Sequence, residues 1–108
     1  MNPDTPQTLL VIDDHPLFRK AVLQLVDMAE DFTVVGEASS GPEGLELAQK
    51  LQPDMVLLDL NMKPMNGIEV LKGIKSLGLE SRVVMLTVSD EAADLVAALR
   101  AGADGYLL

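Results

Sequence analysis

Four short runs of branched aliphatic residues recur along the chain, and between them the apolar positions switch to helical spacing. The runs are Leu-Leu-Val-Ile at 9–12, Thr-Val-Val at 33–35, Met-Val-Leu-Leu at 55–58 and Val-Val-Met-Leu at 83–86. Near-continuous apolar runs of this length predict strands buried on both faces. A weaker fifth run, Gly-Tyr-Leu-Leu at 105–108, ends the sequence. Between the first two runs, Phe18, Ala21, Val22, Leu25, Val26 and Ala29 follow an i, i+3, i+4, i+7 pattern, with Pro16 suited to a first helical turn. Ser40 and Glu43 have capping-box spacing ahead of a stripe of Gly44, Leu47, Ala48 and Leu51. Asn66 with Glu69 caps a third predicted helix carrying Val70, Leu71, Ile74 and Leu77. Ser89 or Asp90 starts a fourth, with Ala92, Leu95, Val96 and Leu99 on one face and Gly102 as its stop.

The predicted order is βαβαβαβαβ. Short connections and apolar strands call for right-handed crossovers and helices on both faces, hence an α/β fold with a doubly wound, five-stranded parallel sheet. A fifth helix would normally cover the last strand, and none follows it here. The 108 residues suffice for one domain. Residues 1–7 read as a short, polar, flexible tail rather than a signal peptide, and no apolar run approaches 18 residues, so a cytoplasmic domain is expected.

A formal net charge of −9 and only three aromatic residues argue against nucleic acid or an anionic membrane as a direct partner. The absence of Cys excludes disulfides and thiolate metal sites, and a single histidine excludes multi-His centres.

In such a sheet ligands bind beyond the carboxyl ends of the strands. Strand one ends in Asp13-Asp14, strand three in Asp59 and strand four in Thr87. Three carboxylates at one edge repel one another unless a cation intervenes. A hard divalent ion satisfies them, and without a His or Cys donor nearby the set favours Mg²⁺ or Mn²⁺ over Zn²⁺. Asp59 stands alone at its strand end and suits a nucleophile toward phosphorus, while Asp13 and Asp14 form a metal pair and Thr87 suits a phosphoryl oxygen. Plainer roles compete. Asp14 has the position of a helix cap, His15 reads as a first-turn surface residue, Ser89 and Asp90 read as caps, and Met62 and Met65 read as loop anchors.

Val-Ile-Asp13-Asp14-His15-Pro16, Leu-Leu-Asp59-Leu-Asn61-Met62, Met65-Asn66-Gly67, Leu86-Thr87 and the closing Gly102-Ala103-Asp104-Gly105-Tyr106-Leu-Leu resemble a response-regulator receiver domain over nearly the whole chain. Asp-Asp-His-Pro, Val35-Gly36-Glu37-Ala38 and the Ala-Asp-Gly-Tyr-Leu-Leu ending most resemble the NarL/FixJ (LuxR-type) class, and Asp59-Leu60-Asn61-Met62 is similar to its nitrate/nitrite regulators. The resemblance implies a flavodoxin-like sheet of order 2-1-3-4-5. It also implies that Asp59 accepts a phosphoryl group from a sensor histidine kinase. Asp14 would ligate Mg²⁺ directly together with Asp59 and the Asn61 carbonyl, Asp13 would act mainly through water, and Thr87 and Tyr106 would act as switch residues. An attached helix-turn-helix domain, absent from this chain, would regulate transcription.

Two departures stand out. The family's lysine would directly follow Leu108, and Lys63 occupies a loop place where the family commonly has Pro. Without a fifth helix, an uncovered sheet face is expected to lower stability or promote self-association, and loss of the lysine to slow phosphotransfer. Three other functions compete with this reading. A phosphohydrolase with an Asp nucleophile would want a second acid at Asn61. A flavodoxin-like cofactor binder would want a phosphate-cradling loop where Asp13-Asp14 stands. A degenerate receiver would signal by protein contacts alone.

Overall fold

In the computed structural model, which describes residues 6–87 and 92–107, nine elements follow the predicted order. They are β1 (Gln7–Ile12), α1 (Pro16–Asp27), β2 (Phe32–Ala38), α2 (Gly41–Leu51), β3 (Met55–Asp59), α3 (Gly67–Ser76), β4 (Arg82–Leu86), α4 (Ala92–Arg100) and β5 (Gly105–Leu107). All five strands are parallel and lie in the order β2-β1-β3-β4-β5, as the resemblance implied. Ile12 pairs with Leu58, Asp59 with Leu86, and Leu86 with Leu107, so the carboxyl ends of the four strands from β1 to β5 share one edge. The first strand starts at Gln7, inside the segment read as a tail, and the Gln7 N–H donates to the Asp31 carbonyl. Ser89, Asp90 and Leu108 lie outside the described residues.

Helix boundaries follow local chemistry. Asn66 and Glu69 form the complete reciprocal capping box. The box at α2 is shifted: Ser40 Oγ accepts from the Glu43 N–H, but the Glu43 carboxylate takes the Ser39 N–H. Gly102, at φ 102°, ends α4 in a conformation that a side chain would strain.

The two faces of the sheet are unequally covered. On one, Leu10, Ile12, Val56, Leu58, Val83 and Met85 pack with Val70, Leu71 and Ile74 of α3, Ala48 of α2 and Ala98 of α4 in a single core. On the other, α1 packs against β1 and β2 and buries none of its residues fully. Half of its predicted stripe (Val22, Val26 and Ala29) is partly buried, while Phe18, Ala21 and Leu25 are exposed. One helix on this face covers only the strands beneath it, so Leu17 (84%), Leu25 (69%) and Leu107 (53%) keep most of their surface in solvent. Along α4 and the residue after it the inward positions are Asp94, Ala98 and Ala101, four and three residues apart; of the predicted face, Leu95, Val96 and Leu99 are exposed and the Ala92 side chain lies outside those described. An acid at the head of the stripe hides its direction in the sequence.

This asymmetry sets the stability map. Ile74→Ala is expected to cost about 2–5 kcal/mol in chemical denaturation and Leu25→Ala less than about 0.5 kcal/mol. An equal loss at Leu25 would mean that the α1 face is covered in solution.

Candidate functional site

Parallel register delivers the site. Beyond Ile12, the Asp13 N–H still donates to the Ala38 carbonyl (3.0 Å), which carries the sheet one residue further and drives the Asp13 side chain into the interior. Asp13 is 1% exposed and Asp59, at the end of the neighbouring strand, 6%. Asp14 is more open. The Asp13, Asp14 and Asp59 carboxylates and the His15 ring each bring one donor atom to within 4.8 Å of all the others. With Leu17, Phe18, Asn61, Leu86 and Thr87, the members Asp13, His15 and Asp59 line a cleft of about 510 Å³.

Hydrogen bonds fix one oxygen of each buried acid and leave the other. Asp13 Oδ1 accepts from the His15 N–H (2.7 Å), and Asp59 Oδ1 from the Asn61 N–H (3.0 Å). The second oxygens, Asp13 Oδ2 and Asp59 Oδ2, and also Asp14 Oδ1, are enclosed and accept no hydrogen bond of ordinary geometry. Buried oxygens in this state are expensive unless a donor or cation completes them. Burial pushes the Asp59 carboxyl above its ordinary value near 3.8; the Asn61 N–H acts against this, and the charge of Asp13 adds to it.

The sequence reading of two residues is corrected here. Asp14 does not cap α1; the N-cap is His15, with no side-chain capping bond. His15 is not simply a surface residue. Its outer edge is in solvent, but Nδ1 lies 3.2 Å from Asp13 Oδ1, 3.0 Å from Asp14 Oδ1 and 3.3 Å from Asp59 Oδ2. The hydrogen bond to Asp13, followed by the charge of Asp14, raises its pKa above 6.5. The premise that no nitrogen donor stands near the carboxylates therefore does not hold. Position after Asp13-Asp14 was the available signal, since Pro16 starts the helix and leaves the ring at the loop's turn. Arg19 was also missed. Its Nη1 donates to the Asp13 carbonyl (2.7 Å) and its Nε to Glu37 (3.0 Å), tying α1 to the ends of β1 and β2.

On the other side, Asn61 Nδ2 donates to Thr87 Oγ1 (3.1 Å), and the Thr87 N–H donates to the Leu107 carbonyl (3.0 Å). Tyr106, between them on β5, is partly buried with its hydroxyl enclosed. Burial, then the charge of Asp94, raises its pKa, with the Thr87 hydroxyl pulling the other way. The loop after Asp59 is held short by the Gly67 N–H on the Leu60 carbonyl (3.0 Å). A Cβ at Gly67 would run into the Asp59 carbonyl and come within 2.7 Å of Leu60 Cα.

A family model for the response regulator receiver domain matches residues 9–108. The chain belongs to that family. It is 54% identical over 108 residues to the nitrate/nitrite response regulator protein NarL of Escherichia coli K12, covering all of this chain and 50% of that one. It is 44% identical over 104 residues to NarP of the same strain, covering 96% and 48%. The chain thus spans about half the length of the curated relatives it matches. The solved receiver domain of NarL from Mycobacterium tuberculosis superposes with a TM-score of 0.92 at 40% identity, covering 95% of this chain and 83% of that one. No helix among the described residues of this receiver domain is long and apolar enough to cross a membrane.

The raised Asp59 pKa has a sign. A folded value above the unfolded one means that ionised Asp59 opposes folding, and the penalty grows as pH rises through the window above about 3.8. In a chelator, Asp59→Asn is expected to raise the thermal midpoint at neutral pH, with the gain shrinking toward pH 3.5. A gain independent of pH would place its cause outside the carboxyl's charge.

Proposed function

We propose that this receiver domain is the phosphorylated switch of a two-component response regulator, with Asp59 as the acceptor. What supports this most directly is the second Asp59 oxygen, enclosed without a hydrogen bond beside two further carboxylates and facing a cleft that Thr87 also lines. A carboxylate held so is an aimed nucleophile lacking only charge compensation. Asp13, Asp14 and Asp59, with the carbonyl of Asn61, would hold Mg²⁺, with Mn²⁺ as a substitute; the enclosed, unbonded oxygens fit such an ion. Bound there, the ion would neutralise charge between the acids and an incoming phosphoryl group.

The phosphoryl donor is the phosphohistidine of a sensor kinase. An Asp59 oxygen forms the new bond to phosphorus, the P–N bond breaks, and the released imidazole nitrogen takes a proton. The Thr87 hydroxyl then turns from Asn61 toward a phosphoryl oxygen, and Tyr106 follows, its ring moving behind β4. The gain of contacts only in the phosphorylated state is what shifts the population. In the longer protein this shift would act on an attached helix-turn-helix domain to regulate transcription, in the cytoplasm. The segment itself is a regulator rather than an enzyme with an external product.

The competing chemistries lack what they need. A phosphohydrolase wants an acid at Asn61, whose amide instead donates to Thr87. A loop that cradled phosphate would present backbone N–H groups, but the one at His15 is taken by Asp13 Oδ1.

Incubation with Mg²⁺ and a small phosphodonor should add one phosphoryl group by intact mass, and neither Asp59→Asn nor a chelated sample should gain it. Lack of uptake by the intact full-length regulator would overturn the role of Asp59. The chain has one Tyr and no Trp, so its intrinsic emission reports Tyr106 alone. Phosphorylation should change that emission, and Thr87→Ala should take up phosphate with the change abolished. An unchanged response in Thr87→Ala would uncouple the two residues.

A further inference from the structure

We infer that His15 is a fourth ligand of the acidic cluster, which makes it a mixed oxygen and nitrogen site holding Co²⁺ or Zn²⁺ more tightly than Mg²⁺. The inference rests on the reading of Asp13, Asp14 and Asp59 as metal-holding residues and adds a donor to them.

Three observations carry it. First, two metal–ligand bonds of about 2.1 Å at a right angle place their donor atoms about 3.0 Å apart. The His15 Nδ1 lies 3.0, 3.2 and 3.3 Å from one oxygen of each acid, close to that spacing. Second, Asp59, whose side chain is 9% exposed, turns into this cluster its Oδ2, which accepts no hydrogen bond of ordinary geometry. Third, the ring is held from behind. The His15 N–H is bonded to Asp13 Oδ1, Pro16 begins α1, and Arg19 fixes the Asp13 carbonyl.

The ring side chain is 63% exposed, so its far edge is open to water while Nδ1 faces inward. Nε2 can therefore carry the ring proton while Nδ1 binds metal, the tautomer that a ligating imidazole requires. Imidazole suits Zn²⁺ and other late first-row ions, whereas Mg²⁺ keeps oxygen ligands and several waters. Removing the ring should accordingly discriminate between ions.

Calorimetric titration of the metal-free protein with MgCl₂, CoCl₂ and ZnCl₂, on wild type, His15→Ala, His15→Asn and Asp14→Asn, tests this. His15→Ala and His15→Asn should each weaken Co²⁺ and Zn²⁺ roughly tenfold or more and change Mg²⁺ by less than about twofold. Asn keeps a hydrogen-bonding atom near the place of Nδ1, so a loss shared by both variants belongs to coordination. Because the sequence has one histidine, a long-range ¹H–¹⁵N spectrum reads His15 alone. Zn²⁺ should shift its Nδ1 resonance strongly and leave Nε2 protonated. Zn²⁺ binding that displaces Mg²⁺ with Nδ1 unmoved, or an equal loss for all three ions in His15→Ala, would overturn the assignment. Mg²⁺ binding that ignores Asp14→Asn would instead overturn the underlying reading of the acidic site.

Discussion

Asp13 and Asp59, two acids almost entirely out of water at the ends of adjacent central strands, set the terms for this domain. Their side chains are placed by backbone register: Ile12 and Leu58 are paired, and each acid is the next residue. Neither can retreat without breaking the most completely buried part of the sheet, where Leu10, Ile12, Val56 and Leu58 have no solvent exposure. The apolar core thus holds two like charges together against their repulsion. A sheet edge at the surface would let them splay apart. Here the site keeps a standing demand for positive charge.

The surrounding residues meet part of that demand and leave the rest. The backbone N–H groups of His15 and Asn61 each satisfy one oxygen, and the His15 ring touches all three acids. Arg19 directs its guanidinium to the Asp13 carbonyl and Glu37 rather than to the carboxylates, so it fixes the loop without neutralising the cluster. The opposite wall is held more lightly. Thr87 is bridged to Asn61 by a side-chain bond, and β5 behind it is three residues long and only partly buried. A buried acid floor facing a wall that ends in a short, partly buried strand is the division of labour a two-state element needs.

Much of this was legible in the sequence because the strands are central. Short apolar runs bounded by turn residues have strand rather than helix length, and the ends of β1, β3 and β4 locate Asp13, Asp14, Asp59 and Thr87 directly. The Asn66–Glu69 box and the Gly102 stop were legible for a similar reason, each being a local motif with its own chemistry. Reading failed where direction depended on neighbours. The facing of α4 follows Ala98 and Ala101 instead of its larger residues because Asp94 heads the inward stripe. Half of the α1 stripe is exposed because periodicity shows that a helix has an apolar side, not how much of that side something covers. His15 is exposed, as read, but its contact with the acids was not legible, because only the tertiary approach of β3 supplies the third carboxylate beside Nδ1. Arg19 was invisible, since its acceptors are a carbonyl and a residue on another strand.

The uneven covering of the sheet bears on the chemistry as well as the stability. Leu17, Phe18 and Leu86 line the cleft with Asp13 and Asp59. Apolar lining lowers the effective dielectric, so both the repulsion between the bare acids and the attraction of a cation among them are stronger than at an open surface. The same lining thus sharpens the difference between a charge-compensated site and an uncompensated one. Polar substitutions in the apolar lining would soften both extremes, whereas substituting the acids removes one of them. The apolar side chains at positions 17, 18 and 86 accordingly belong to the electrostatics of the site although none carries a charge.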